Sequence, residues 1–182
     1  MCKSKGNAML LDRIGMTQPI VQAPMAGVTT PALAAAVANA GGLGSLGVAA
    51  MDAATAGAEV QRTRALTARR FNVNVFCHCP PHRDAAKEAA WLASLVADFA
   101  RFGASAPESL QDGYRPFALD PDMLAMLLAE KPGVVSFHFG LPPADQIAAL
   151  KDSGAVLLGS ATNPEDALRI VDAGLDGIVA QG

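Results

Sequence analysis

One histidine lies at the end of an apolar run near the middle of the chain. His138 lies near the carboxyl end of residues 134–139, which are predicted to form a strand, and precedes Gly140 and two prolines that predict a turn. Because an imidazole titrates near neutral pH, a histidine at the mouth of a cleft can move a proton or donate a hydrogen bond. The alternative is a packed histidine bonded to a nearby carbonyl, and spacing alone leaves both interpretations open.

Two amide side chains, like His138, lie in or directly after predicted strands. Asn74 alternates with apolar neighbours in a β-rich run, and Gln181 follows the apolar run 178–180. A buried amide must find partners for both of its ends, either on the neighbouring backbone or on a polar ligand. Together with His138, these residues put three polar side chains at three predicted strand ends, which favours a common mouth.

Four potential metal ligands lie within six residues: Cys77, His78, Cys79 and His82. A zinc site would need a second ligand pair at finger-like or ribbon-like spacing, and none follows. Two thiols one residue apart in an extended segment also point to opposite faces. We therefore predict that no metal binds here, although Cys77 or His78 could line a pocket.

Residues 42–47 match the G-x-G-x-x-G pattern of dinucleotide-binding loops. That fingerprint follows a strand and opens a helix, so that a pyrophosphate meets the helix N-terminus. Here the glycines follow a predicted helix and run through a predicted strand. We interpret them as a helix stop and a strand with close backbone approach, and we reject a Rossmann site.

The elements that must position these residues alternate between short β-rich runs and Ala-rich helical segments. Helix starts are marked at Thr30, Asp120 and Asn163, where a capping side chain is followed by Pro at the first helical position. Nearly continuous apolar runs indicate parallel strands buried on both faces. Six strands are predicted, at residues 19–25, 43–47, 70–76, 134–139, 155–159 and 178–180.

Two architectures fit this alternation, an open doubly wound sheet and a (β/α)8 TIM-type barrel. A complete barrel has eight strands and about 250 residues, whereas the six predicted strands already use all 182 residues. We therefore predict an α/β fold of the TIM-barrel type that is incomplete, with about six of the eight strands. Residues 1–182 are expected to be the N-terminal part of the barrel, with a helical and loop insertion at about 77–133.

Composition excludes several other classes. With 51% hydrophobic residues and a net charge of −3, the chain is too apolar for a disordered region. Lys and Arg (14) are outnumbered by Asp and Glu (17), which argues against nucleic acid as a partner. The sequence contains no uninterrupted run of about 18 apolar residues, so no membrane-spanning helix is predicted. Three cysteines, an odd number, suit a reducing compartment, and we expect a cytoplasmic protein.

Four sequence blocks resemble those of the nitronate monooxygenase family, formerly called 2-nitropropane dioxygenases. They are residues 22–27 with Thr30-Pro31, residues 40–44, residues 135–140 and residues 179–182. The blocks occur in the family's order, and the resemblance runs from about Pro19 to the last residue. Related flavin barrels, namely a NADH:quinone reductase group and flavin-dependent enoyl reductases, share the first and last blocks. The Ser-Phe-His-Phe-Gly block favours nitronate monooxygenase.

The resemblance implies an FMN-dependent barrel with a small inserted helical domain. Its reaction would be the oxidation of alkyl nitronates or nitroalkanes by oxygen to carbonyl compounds and nitrite. His138 would face the flavin as the base for neutral nitroalkanes, or as a donor that holds the nitro group. The cofactor-binding residues implied by the resemblance are Pro24, Met25, Ala26, Asn74, Gln181 and Gly182.

The resemblance also implies later glycine-rich loops that hold the FMN phosphate, and the 182 residues do not include them. We therefore expect a truncated chain that binds FMN poorly by itself and self-associates through open barrel edges. Two alternatives to nitronate oxidation stay open. One is an NAD(P)H-dependent flavin reductase, of the quinone or enoyl reductase type, on the same barrel. The other is an inactive barrel fragment.

The Cys-His segment gives a first testable prediction. Purified protein should retain no stoichiometric zinc after mild chelation, because residues 77–82 lack a second ligand pair. Elemental analysis before and after chelation measures this. Retention of one zinc per chain, with unfolding on its removal, would contradict the prediction.

Overall fold

The computed structural model describes residues 5–111 and 113–181. Five strands form one parallel sheet in chain order, and helices lie between successive strands. The strands are β1 (Ser45–Gly47), β2 (Asn72–Phe76), β3 (Val134–His138), β4 (Val156–Ala161) and β5 (Gly177–Ala180). The helices are α1 (Lys5–Ile14), α2 (Pro31–Asn39), α3 (Ala53–Leu66), α4 (Ala85–Arg101), α5 (Pro121–Glu130), α6 (Ala144–Asp152) and α7 (Pro164–Asp172). The predicted α/β fold of incomplete TIM-barrel type is confirmed.

The chain divides into two compact units. One contains the sheet and comprises the residues up to Cys79 and those from Tyr114 onward. The other runs from Pro80 to Gly113 and contains α4. Within the described ranges, no helix is long and apolar enough to cross a membrane.

The helix starts are set by the capping residues that the sequence predicted. Thr30 accepts a hydrogen bond from the Leu33 N–H, and Asp120 accepts one from Met123. Asn163 caps α7 in the same way, and Pro occupies the first turn of all three helices. These side chains satisfy N–H groups that have no partner within the helix. The order of elements therefore follows from local chemistry.

The predicted first strand, at residues 19–25, forms only an isolated bridge. Val21 pairs with Leu43, and no ladder extends from that pair. At the next position along the chain, the Gln22 side chain takes the place of a backbone partner for Ser45. Its Oε1 accepts a hydrogen bond from Ser45 N at 3.0 Å, and its Nε2 donates one to Ser45 O at 3.1 Å. The sheet therefore has five strands where six were predicted, because a side-chain amide takes the ladder's hydrogen bonds.

The two faces of the sheet differ in polarity. The outer face packs against α2, α3, α5 and α6, and its buried residues are Leu46, Val73, Val75, Val135, Phe137 and Leu157. The inner face carries Ser45, Asn72, Asn74, Ser136 and His138, which the strand register places side by side. Successive side chains of a strand point to opposite faces. The alternation in β2 and β3 thus separates an apolar core from a polar inner layer.

Helix α1, which the sequence analysis did not predict, packs at the amino-terminal end of this inner face. Its Ile14 is buried in a cluster with Leu43, Val134, Val156 and Leu158, and Leu10 packs against the same cluster. Arg13 pairs with Asp176 at 2.7 Å. On β3 and β4 the inner face is therefore apolar at the amino-terminal end and polar toward the carboxyl end, whereas β1 and β2 place Ser45 and Asn72 in the same register row as Val134 and Val156.

One glycine allows the close contact between α2 and β1. A Cβ atom at Gly44 would lie 1.8 Å from the carbonyl oxygen of Ala34. A side chain at Gly57 on α3 would instead meet only the flexible Met126 side chain, at 3.3 Å. The first position needs glycine because backbone blocks it, whereas the second could accept a methyl group.

This difference predicts opposite outcomes for the same substitution. Gly44→Ala should lower the free energy of unfolding by about 1–3 kcal/mol or more, because α2 must move away from β1. Gly57→Ala, the matched control, should change it by less than about 1 kcal/mol, since Ala also favours the helix. Urea unfolding of the two variants measures both values. Equal stability of the two variants would contradict the proposed tight contact.

Candidate active site at the carboxyl ends of the strands

The candidate site lies where β2, β3 and β4 reach their carboxyl ends. A cavity of about 490 Å³ opens there, and its lining includes Cys77, Cys79, His138, Ser160, Arg169 and Gln181. In barrels of parallel strands, active sites occupy this end. The cavity therefore brings together two of the predicted site residues, His138 and Gln181.

Beneath the cavity, a buried polar cluster joins the first three strands. The Asn72 side chain donates to Ser136 Oγ at 2.9 Å and to Ser45 Oγ at 3.2 Å. The Asn74 amide nitrogen lies 2.9 Å from Ser136 Oγ and 3.0 Å from the Ser136 carbonyl oxygen. All four residues are buried. Buried polar groups of this kind fix side-chain positions, because each lost hydrogen bond costs free energy.

His138 lies at the end of this cluster that is nearest the carboxyl ends of the strands and the cavity. Its Nδ1 atom lies 2.6 Å from the Asn74 amide nitrogen, and the ring is half-buried. Burial lowers the pKa of His138 below its ordinary value, because desolvation disfavours the charged imidazolium. The ring is therefore neutral at neutral pH and gains a proton only as the pH falls through that lowered pKa.

Several buried oxygens in this region have no hydrogen-bond partner among the described residues. They are the amide oxygens of Asn72 and Asn74 and the Ser160 hydroxyl. A buried acceptor without a donor costs about 1–3 kcal/mol. The unpartnered Asn74 oxygen and Ser160 hydroxyl therefore suit a ligand that donates or shares hydrogen bonds.

Aromatic rings border His138 on one side. Phe76, which pairs with His138 in the strand register, makes edge contacts with Phe139 at 4.8 Å and with Tyr114 at 5.2 Å between ring centroids. Phe139 is 64% exposed and has a left-handed backbone with φ 66°. Such a conformation is uncommon for a residue other than glycine. The turn predicted after β3 therefore begins one residue early, at Phe139.

The segment with Pro24, Met25 and Ala26 lies beside β1. Thr29 Oγ1 accepts two hydrogen bonds, one from the Met25 N–H at 3.0 Å and one from Gln22 Nε2 at 3.2 Å. A Cβ atom at Gly47 would lie 2.9 Å from Ala26 N, so glycine lets this backbone approach the strand. Gly47 is the register partner of Asn74. The structure thus brings the segment to the same row of the sheet as Asn74.

The two cysteines of the Cys-His segment differ in environment. Cys77 is buried, and burial raises the pKa of its thiol to about 12, whereas Cys79 is exposed. Both line the cavity. Among the residues that the structure describes, no three His, Cys, Asp or Glu side chains come together in a way that could hold a metal ion.

The comparisons with known proteins agree with this arrangement. The family model for nitronate monooxygenase matches residues 7–182. The chain belongs to the nitronate monooxygenase family. It is 57% identical over 182 residues to a nitronate monooxygenase of Paraburkholderia phytofirmans, and 52% identical over 169 residues to one of Pseudomonas aeruginosa. These alignments cover 100% and 93% of this chain, but 50% and 48% of the relatives.

Solved structures give a similar result. The chain is similar to nitroalkane oxidase from Streptomyces ansochromogenes, with a TM-score of 0.82 and 41% identity over 95% of this chain and 48% of that one. It is also similar to FabK from Thermotoga maritima, with a TM-score of 0.69 and 25% identity over 96% of this chain and 43% of that one. The chain thus spans about half the length of the family members and neighbours that it matches.

The family blocks correspond to most of the site but omit several of its parts. They include His138, Gln181 and residues 24–26, while Gly182 lies outside the described residues. Sequence reasoning gave no site role to Asn72, Phe76 or Tyr114, nor to Ser136, although Ser136 lies in one of the family blocks. The signal for Ser136 was present, because Ser136 and His138 alternate with apolar residues as Asn72 and Asn74 do. Nothing in the local sequence pointed to Tyr114, which reaches Phe76 from a distant part of the chain.

The contrast between the two thiols predicts selective labelling in this family member. At pH 8, iodoacetamide should modify Cys79 rapidly and leave Cys77 largely unmodified, because the thiolate is the nucleophile and Cys77 ionises only near pH 12. Peptide mapping by mass spectrometry resolves the two sites, with Cys79→Ser as the control. Equal labelling of Cys77 and Cys79 in the folded protein would contradict the assigned burial.

Proposed function

We propose that this protein oxidises alkyl nitronates with FMN and oxygen, producing carbonyl compounds and nitrite. The observation that carries the proposal is the juxtaposition of Asn74 and His138, at 2.6 Å, beside a cavity at the carboxyl ends of the strands. Membership of the nitronate monooxygenase family supports the same reaction. The proposal extends to the whole protein, because the chain spans about half the length of its relatives.

The residues present fit a flavin. The Asn74 amide oxygen is buried and has no partner in the part of the chain that the structure describes, and the ring N–H of a flavin is a donor that would satisfy it. Gly47 admits the backbone of Met25 and Ala26 to the same row of the sheet. We assign the contacts with FMN to Pro24, Met25, Ala26, Asn74 and Gln181. When bound, FMN supplies the transfer of electrons from the nitronate to oxygen.

His138 is proposed as the side chain that contacts the substrate. A nitronate is an anion, and an imidazole N–H beside its oxygens would bind it without any need to remove a proton. Phe76 and Phe139 place apolar surface beside the ring. An apolar border excludes water and strengthens a hydrogen bond to an anion. This environment suits the alkyl part and the charged part of one small substrate.

The remaining proposals concern partners and location. We propose that the insertion expected at about residues 77–133 includes the small helical domain, for which the compact unit Pro80–Gly113 is the candidate, and that the protein works in the cytoplasm. Ile178 and Val179 of β5 are 42% and 38% exposed, and β5 has no further strand partner among the described residues. An unpaired apolar edge of this kind supports self-association. The proposed reactants are oxygen and a small-molecule nitronate, the anion that a nitroalkane forms on losing a proton.

A second candidate function rests on the likeness to FabK. We retain an NAD(P)H-dependent flavin reductase as that candidate. The two functions differ in the source of electrons: a nitronate for a monooxygenase, and a nicotinamide for a reductase. The same flavin-loaded protein can therefore be tested for both.

The test compares nitrite release from propyl-1-nitronate with anaerobic reduction by NADH. Flavin-loaded full-length protein, which includes the part of the family's length beyond these 182 residues, should release nitrite and consume oxygen, and His138→Ala should lower that rate by about a hundredfold, since it loses the group beside the anion. His82→Ala, an exposed histidine outside the cavity lining, is the matched control and should retain the rate. Rapid bleaching of the flavin by NADH, without nitrite release, would overturn the proposal and favour the reductase.

A further inference from the structure

The orientation of the Asn74 amide is determined by its neighbours. The amide nitrogen lies 3.0 Å from the Ser136 carbonyl oxygen, which can only accept a hydrogen bond. Turning the amide over would place its oxygen against that carbonyl and set two acceptors face to face. The nitrogen therefore occupies the position toward Ser136 and His138, and the oxygen points away from both.

Counting hydrogens then decides the state of the His138 ring. The Asn74 amide nitrogen has two hydrogens. One serves Ser136, whose carbonyl and hydroxyl oxygens lie 3.0 and 2.9 Å away, and the other points to His138 Nδ1 at 2.6 Å. A proton on Nδ1 would set two donors against each other at that distance. Nδ1 must therefore accept, and the ring proton must lie on Nε2.

We propose that Asn74 is a positioning residue that acts through His138: anchored by the Ser136 carbonyl, it holds the imidazole in the Nε2–H form. His138 then presents a hydrogen-bond donor, not a base, toward its open side. Among the described residues, Nε2 has no hydrogen-bond partner of its own, so its proton is free for a ligand.

In the described structure, the other titratable groups of the cavity make no charge interaction with the His138 ring that would compete with its contact to Asn74. Cys77 is neutral because burial raises the pKa of its thiol to about 12. Asp166 is engaged by Thr162 and Asn163 at 3.1 and 2.9 Å. Cys79 and Arg169 also line the cavity, and the Tyr114 ring contacts Phe76. None of these groups forms an ion pair with His138 in the described structure, so the Asn74 contact decides its tautomer.

The consequence for substrate choice rests on the proposed function. A donor at Nε2 favours a substrate that already carries its negative charge, the nitronate, over a neutral nitroalkane that needs a base. The free Asn74 oxygen leaves the other end of the same amide for the cofactor. One side chain would thus hold the flavin with its oxygen and set the substrate-binding histidine with its nitrogen.

Nitrogen NMR tests the tautomer without any turnover. The chain has three histidines, so long-range proton–nitrogen correlation spectra can be assigned with His78→Gln and His82→Gln. At pH 7.5 the wild-type protein should show His138 protonated on Nε2 and bare on Nδ1. This measurement needs no variant at Asn74, so a variant that fails to fold cannot hide the answer. A proton on Nδ1, or a doubly protonated ring, would overturn the proposal.

Two variants then separate positioning from general stability. Asn74→Ala should raise the proton affinity of His138 about tenfold, because a donor to the neutral ring disfavours protonation and is lost. Asn72→Ala is the matched control: it removes a buried amide that also bonds Ser136 but does not contact His138, and should leave the affinity within about twofold. Equal shifts in the two variants would overturn the positioning role.

The NMR result on the His138 tautomer and the test of the proposed nitronate oxidation can fail independently of each other. Nε2 protonation without nitrite release would leave the Asn74 inference standing and remove the nitronate reaction. Nitrite release with Nδ1 protonation would do the opposite. Under the proposal, the wild-type protein should oxidise propyl-1-nitronate and show little activity on neutral 1-nitropropane. Comparable rates on both substrates would contradict the donor role of His138.

Discussion

The parallel register between β2 and β3 is the constraint on which the rest of the site depends. It pairs Asn74 with Ser136 and Phe76 with His138, so two polar residues and two aromatic rings meet at one end of the sheet. A shift of β3 by one residue against β2 would send Ser136 and His138 to the opposite face, among the helices, and separate them from Asn74 and Phe76. The apolar residues between them, such as Val75 and Phe137, prevent that shift because they are fully buried in the outer core. Packing on one face therefore fixes chemistry on the other.

The inner face carries a polarity gradient along the strands. Near their amino-terminal ends, Ile14 of α1 packs against Val134 and Val156, and water is excluded. Asn72 lies level with Val134 in the strand register, Ser136 comes farther along β3, and the cavity with His138 follows. A buried polar layer costs free energy unless its members bond to one another, and here most do. The amide oxygens that find no partner among residues 5–111 and 113–181 lie in this layer, where a bound molecule can satisfy the one on Asn74.

Close approach of backbone to backbone brings the segment with Pro24, Met25 and Ala26 to the site. Gly44 lets α2 contact β1, and Gly47 lets residues 25–26 lie against the same strand. Gln22 then joins this segment to Ser45 with two hydrogen bonds from one side chain. The glycine pattern of residues 42–47, which resembles a dinucleotide loop, is explained by this packing: it admits neighbouring backbone to a strand that runs within a sheet.

The sequence by itself determined the order of helices and strands from α2 onward, the incomplete barrel and the family. These follow from local signals: capping residues such as Thr30, buried apolar runs, and blocks of residues at strand ends. Only the tertiary structure decided that residues 19–25 form one bridge, that α1 packs on the inner face, and that Asn74 contacts His138. The last two residues are 64 positions apart, and their contact depends on strand register and on the Ser136 carbonyl. Local propensity contains no information about which distant side chain will satisfy a buried amide, because that partner exists only when the strands are paired.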